Sequence, residues 1–328
     1  MGTSVEDDDA HPFAEDLAME ILQSRSFIDK HFNYGKNKRP KLLIHDLDAP
    51  DYSIPITFIS DSDKNEGTPL IEKPDHVPEF GGGLLVVPVD GLFLFQKGNT
   101  EYDIRGWCCG LWNPATRVLT TLPAAHFQLQ PFFDEIGGFS GFGLDPVTSN
   151  YKVVWVRQFW DENRDDMFHR AYAAVYSCST DSWRILKHKH HKSTCAYSYR
   201  DADSTAYLNG TYYWMLRGHD YCGLLSFDFA NEVFAEIRGP HIPPINCSSV
   251  ILRDGSINLL TLGFNDDFGL WVMIEPGVWT KLLNFQCLSL IKPVFCGFWD
   301  SSTVLFLTES SGLISYDVNT QETTHLGF

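Results

Sequence analysis

Apolar residues follow two different spacings along this chain of 328 residues. In residues 13–33, FAEDLAMEILQSRSFIDKHFN, Leu17, Ile21 and Leu22 recur at i, i+4 and i+5. Glu15 and Asp16 stand where acidic residues favour a helix start, so this stretch predicts a short helix. From residue 41 the pattern changes and stays changed. Short apolar runs such as KLLIHDL (41–47), LLVVPVDGLFLF (84–95), YKVVWV (151–156), TYYWML (211–216), INLLTL (257–262) and TVLFLT (303–308) are bounded by Gly, Pro, Asp and Asn. Their spacing, at steps of about 8–12 residues, predicts an all-β closed fold. Asn113-Pro114 and Asp145-Pro146 initiate turns, and Asn209-Gly210 is a two-residue hairpin signal.

An internal repeat narrows the architecture. An apolar strand, a polar turn and a second strand carrying an aromatic residue or leucine recur in units that begin at residues 110, 174, 224, 270 and 313. The last three units are the most evenly spaced. A period of about 45–50 residues fits the four-stranded, kelch-like blade of a β-propeller. At that period the span 41–328 predicts a single propeller of about six blades, with seven smaller blades as the alternative. Pairing of the first and last strands would close the ring and remove its free edges. Trp183 and Trp279 fall at the same place in their units, with Phe234 close to it, and are read as packing between blades. The organisation expected is an acidic disordered tail (1–12), a helical segment (13–33), a basic linker (34–40) and the propeller (41–328).

Composition supports strands over helices. Aromatic residues make up 14% of the chain, and Gly and Pro number 25 and 17. The net charge of −17 argues against nucleic acid and anionic lipid as partners and suits a basic protein, although plain solubility explains it equally well. The eight cysteines contain no C-x-x-C pair and are read as small buried hydrophobes. With no apolar leader and no apolar run near 18 residues, the expected compartment is reducing: cytoplasm, and also nucleus. The sequons at Asn209 and Asn246 are then expected to stay bare.

No coherent catalytic, cofactor or metal set emerges, and the chain is not expected to be an enzyme. The triple glycine in FGGGLL (80–85) lacks the Gly-Lys-Ser/Thr of a phosphate loop. His188, His190 and His191 alternate as metal ligands do, but their polar setting reads as a surface loop. Asp165, Asp166, Asp266, Asp267 and Asp300 read as solvated faces, and Cys108-Cys109 as strand packing. Three long insertions, 124–140, 157–171 and 187–205, mix aromatic and charged residues, which is interface chemistry. Phe159, Trp160, Arg164, Phe168 and Tyr199 are the candidate partner-binding rim.

Several segments together resemble the F-box-associated, kelch-like domain of plant F-box proteins, a family that includes the S-locus F-box proteins of self-incompatibility. LWNPATRVLTTLP (111–123) is similar to its NP-x-T-R…LP element, and GFGLDPVTSNYKVV (141–154) to its FG-x-D…YKVV element. VYSCSTDSWRIL (175–186), LNGTYYWM (208–215), LLSFDFANEVF (224–234), WVM…WTKLL (271–283) and LISYDVNT (313–320) follow in the family's order. The resemblance implies a substrate-recognition subunit of an SCF-type ubiquitin ligase. In self-incompatibility its partner would be a basic pistil ribonuclease. It also implies a helical F-box that docks on a Skp-type adaptor and cullin. FAEDLAMEIL (13–22) is similar to the opening helix of that module and SRSFIDKHFN (24–33) to the segment just after it, with the middle missing. Leu17, Ile21 and Leu22 are the adaptor-binding remnant. The alternative is a stand-alone interaction propeller that binds its partner but recruits no ligase.

Overall fold

A computed structural model describes residues 42–45, 56–61, 69–72, 84–99, 103–113, 118–125, 133–161, 169–186, 204–217, 222–242, 247–262, 267–286, 294–308 and 312–326. All the regular structure among these residues is β-strand. The predicted helix at 13–33 lies outside the described residues.

Every sheet is built from strands consecutive in sequence. The first is three-stranded: β1 (Leu42–His45), β2 (Ile56–Asp61) and β3 (Pro69–Glu72). Five four-stranded antiparallel blades follow. Blade one holds β4 (Leu84–Val89), β5 (Leu92–Asn99), β6 (Asp103–Asn113) and β7 (Val118–Thr121). Blade two holds β8 (Phe133–Asp145), β9 (Asn150–Asp161), β10 (His169–Ser177) and β11 (Ser182–Ile185). Blade three holds β12 (Thr205–Leu208), β13 (Thr211–Arg217), β14 (Cys222–Asp228) and β15 (Val233–Arg238). Blade four holds β16 (Cys247–Arg253), β17 (Ser256–Leu262), β18 (Asp267–Glu275) and β19 (Val278–Gln286). Blade five holds β20 (Val294–Phe298), β21 (Thr303–Thr308), β22 (Gly312–Asp317) and β23 (Thr323–His325).

Among the described residues the four-stranded blades number five, and not the six or seven that the period predicts. The reason is the segment before Leu84, which supplies three strands in one sheet where the count assumed a full blade. Nor does any sheet among the described residues pair an early strand with a late one.

Turn chemistry fixes this order. Asp90-Gly91, Asn209-Gly210 and Asp254-Gly255 have paired positive φ angles of 52° and 79°, 49° and 83°, and 50° and 70°. These are the two-residue hairpin turns whose twist matches that of the strands they join. They connect the first and second strands of blades one, three and four. A longer turn recurs at Asp145–Ser149, Asp228–Glu232 and Asp317–Gln321. In each, the last amide donates to the aspartate carbonyl, at 2.8, 2.7 and 2.8 Å. The aspartate carboxylate accepts from amides two and three residues on, as Asp145 does from Val147 (2.8 Å) and Thr148 (3.2 Å).

Among the first strands, β4 lies against β8 and β12, and β12 against β16. Blades two, three and four are flanked by neighbours on both faces, so apolar side chains on both faces are buried. One cluster, with Phe142, Tyr176, Tyr212 and Trp214, unites blades one to three. A second, with Met215, Leu224 and Leu259, joins blades three and four. A third, with Phe268, Phe306 and Tyr316, joins blades four and five.

Two of the three predicted inter-blade aromatics, Trp183 and Trp279, bond across these seams, whereas the ring contacts of Phe234 lie within its own blade. The indole N–H of Trp183 donates to the Pro123 carbonyl of blade one at 2.6 Å, and that of Trp279 to the Arg238 carbonyl of blade three at 2.7 Å. Phe234, which has no N–H, packs its ring on Phe227 and Trp214.

Close packing makes one glycine test the blade two–three seam. A Cβ on Gly141 would stand 2.7 Å from Trp214 and 2.8 Å from Tyr212. Both rings are buried and fixed, so Gly141→Ala is expected to lower stability by about 1–3 kcal/mol. Denaturant titration reads this as an earlier midpoint at unchanged slope.

Candidate protein-interaction surface

Antiparallel alternation sorts the connections into two sets. The tight turns between first and second strands, and between third and fourth, lie on one side of the ring. The connections from second to third strand, and from one blade to the next, lie on the other. All three predicted insertions belong to the second set. Segment 124–140 precedes and enters β8, and from Phe133 onward it is strand, with Phe139 and Ser140 buried, which corrects that half of the insertion; 157–171 spans the end of β9 and the start of β10, and 187–205 leads into β12.

Both described ends of the middle insertion, 157–161 and 169–171, are strand. Strands β9 and β10 stay paired out to Trp160 opposite His169, with Phe159 opposite Arg170. Phe159 is fully buried, at 0% exposure, and packs edge-to-face on Tyr172 at 5.6 Å. It is thus a core residue, and its place on the exposed rim is corrected. Trp160 lies in β9, with its side chain outside the described residues. Arg164, Phe168, Tyr199 and the remnant residues Leu17, Ile21 and Leu22 also lie outside the described residues.

Beneath this insertion is a stack that the sequence reading missed. Trp155, Arg157 and Phe159 alternate along β9, and the Arg157 guanidinium sits 5.2 Å from the ring centroid of each aromatic neighbour. Trp155 meets Trp183 at 5.9 Å, which carries the stack to the seam with blade one. The signal was the period-two spacing of W-x-R-x-F. Cation–π contact holds such an arginine in place.

The turn side carries the strongest electrostatics. The buried Lys152 ammonium lies 2.9 Å from Asp145 Oδ2 and 2.9 Å from Glu232 Oε1, and donates to the Phe229 carbonyl at 3.0 Å. Arg184 completes the group by pairing with Glu232. Burial disfavours the Asp145 carboxylate. Hydrogen bonds from Lys152, Thr148 and two backbone amides outweigh it and bring its pKa down to about 2. Burial opposes the charge on Lys152 as well, yet Asp145 and Glu232 raise its pKa above the ordinary lysine value. Glu232 is lowered against its own burial by Arg184 and Lys152.

Two tyrosines extend the same seams. Tyr151 donates to Asp90 of blade one at 2.8 Å. Tyr207 of blade three donates to the Leu144 carbonyl at 2.9 Å and accepts from the Leu144 amide at 3.2 Å. Segment 140–152 is thereby tied to both neighbouring blades.

The other candidate chemistry resolves as follows. Among the described residues no group of His, Cys, Asp and Glu could hold a metal ion. His188, His190, His191 and the triple glycine lie outside them. Asp300 caps its own turn through the amides of Ser302 (2.8 Å) and Thr303 (2.7 Å). Cys178 and Cys296 are not disulfide-bonded, and burial pushes their thiols up to about 12 and about 11. Cys222 is disulfide-bonded, which corrects the reading of the cysteines as uniformly reduced. No helix among the described residues is long and apolar enough to cross a membrane.

Five four-stranded blades, joined face to face in sequence order, define a β-propeller. A family model described as the F-box associated beta propeller domain matches residues 84–325. The chain belongs to that family, and with it to proteins whose general role is protein–protein interaction. The matched span begins at β4 and ends at His325 in β23, so it coincides with the five four-stranded blades. No curated protein sequence matches the chain. Among solved structures, it resembles a chain of a nidogen/laminin complex at 12% identity, covering 87% of this chain and 92% of that one, with a TM-score of 0.45. It resembles TolB from Acinetobacter baumannii at 9% identity, covering 92% and 69%, with a TM-score of 0.45. Oligogalacturonate lyase from Vibrio parahaemolyticus is similar at 9% identity, covering 87% and 73%, with a TM-score of 0.46. Likenesses this low say nothing of function.

The Lys152 group yields a pH prediction. Carboxylates lowered in the folded state stabilise it above their unfolded pKa values and cease to do so as pH falls through the folded ones. For Asp145 that window runs from about 4 down to about 2. The raised Lys152 contributes below its ordinary pKa and is lost as pH rises past its folded value. Lys152→Ala leaves the Asp145 carboxylate without its cationic partner, while Glu232 keeps Arg184, and is expected to cost about 3 kcal/mol near neutrality. The variant should also lose less stability than the parent between pH 4 and pH 2, measured by urea unfolding across that range.

Proposed function

We propose that this chain is the substrate-recognition subunit of an SCF-type ubiquitin ligase, acting by binding and not by catalysis. The observation that carries the reading is the family match across all five four-stranded blades. Family members of this kind present the propeller to a protein substrate. The loop side, with the connections between β7 and β8, β9 and β10, and β11 and β12, is the substrate-binding surface in this reading. Trp160, Arg164, Phe168 and Tyr199 are its anchors, and Phe159 is excluded as a core residue. The net charge of −17 favours a basic substrate by steering it electrostatically. A basic pistil ribonuclease is the finer form of this proposal, carried by resemblance to S-locus relatives. The cytoplasm, and also the nucleus, is the compartment that the proposal requires.

A second reading rests on one observation in the sequence. The segment similar to the opening F-box helix runs almost directly into the segment that normally follows the module. In that reading the chain is a stand-alone propeller that holds its partner and recruits no ligase.

Affinity purification of the full chain separates the two. The ligase reading predicts recovery of a Skp-type adaptor and a cullin together with a protein partner. Recovery of the partner alone contradicts it and favours the stand-alone reading. Changing Trp160, Arg164, Phe168 and Tyr199 together to Ala should weaken partner capture at least tenfold, as removing interface anchors does, at an unchanged melting midpoint. Undiminished capture by this folded variant contradicts the assignment of the rim.

A further inference from the structure

The outer strands of the five four-stranded blades differ in one respect. Strand β19 of blade four has 9 residues, whereas β7, β11, β15 and β23 have 4, 4, 6 and 3. Among the described residues it is hydrogen-bonded to β18 on one side only. Proteins protect such edges by keeping them short or by placing charges and prolines along them. Strand β19 reads VWTKLLNFQ and has no proline, and its single charge, Lys281, lies over the Trp271 ring at 5.4 Å.

Its hairpin is also unusually apolar on the outside. Ile274, Val278 and Leu282 are 60%, 52% and 51% exposed. The register explains two of them. Pairing skips Ile274 between Met273 and Glu275, and skips Leu282 where Leu270 pairs with Leu283 and Trp271 with Lys281. Each is the extra residue of a β-bulge, a feature that re-aims a side chain and is common at edges and binding sites. The third, Val278, follows the Glu275-Pro276-Gly277 turn and faces outward beside an exposed carboxylate.

We infer that β19 is a docking edge for an extended, basic segment of a partner protein, which adds to blade four as a further strand. Main-chain hydrogen bonds would supply affinity, and apolar side chains at alternate positions would meet Val278 and Leu282. Charge selects the occupant. At −17 the chain attracts a cationic segment and repels a second copy of itself. This contact is apart from the loop side and goes beyond the reading given above.

The test uses the full chain and two synthetic nine-residue peptides, one alternating lysine with valine and the other glutamate with valine. The lysine peptide is expected to bind saturably and to slow amide exchange across 278–286. Changing Val278 and Leu282 together to Asn should weaken that binding at least tenfold at an unchanged melting midpoint. Val147→Asn, at a valine 79% exposed on the Asp145 turn, should leave it unchanged. Equal binding of the glutamate peptide overturns the inference. So does binding that the Val278/Leu282 variant retains, or a concentration-dependent dimer that the variant abolishes.

Discussion

One buried ammonium group ties the second blade to the third. Lys152 lies in β9, between the Asp145 carboxylate of its own blade and Glu232 with the Phe229 carbonyl of the next. Its side chain is only 11% exposed, so its charge is tolerable only because three oxygens surround it. The partners in turn depend on local turn geometry. Asp145 and Glu232 open and close turns of the same kind, each set by a carbonyl–amide bond across five residues. The pairing thus requires both turns to be correct and the two blades to be in register.

The seams elsewhere use the same logic with neutral donors. Indole N–H groups of Trp183 and Trp279 reach back to carbonyls at the ends of the preceding outer strands. Arg184 joins β11 to the turn before β15, and Arg253 donates to the Ser301 carbonyl of blade five at 2.7 Å. Outer strands therefore follow one another around the rim, with polar contacts where the apolar clusters thin out. The polar bonds between blades two and three gather on the turn side, and in such a scaffold recognition belongs to the opposite connections.

Much of this was legible in the sequence, because turn chemistry is local. Asn209-Gly210 forms the predicted hairpin, and Asp90-Gly91 and Asp254-Gly255 carry the same signal. Trp183 and Trp279 were recognisable as seam residues from their common place in the repeat. The role of Lys152 was not, since a lysine in YKVV looks like an exposed strand position until the next blade brings Glu232 over it. Phe159 failed for the opposite reason. Its neighbours Arg157, Gln158 and Trp160 look like loop composition, yet strand pairing continues past them and the adjoining face is covered. The blade count failed because a period measured over 110–328 was extended to a segment that forms three strands. Both faces of blades two, three and four are buried, so period-two alternation cannot distinguish a face toward solvent from a face toward a neighbour.

The account's central claim is that the clamped turn side is scaffold and the loop side is the binding surface. Hydrogen–deuterium exchange on the full chain, with and without a captured protein partner, tests it most directly. The account predicts slowed exchange in 126–132, 162–168 and 187–203 on binding, with little change at Asp145–Ser149, Asp228–Glu232 and Asp300–Thr303. Protection confined to those turns, with the three loop-side segments unaffected, would contradict it.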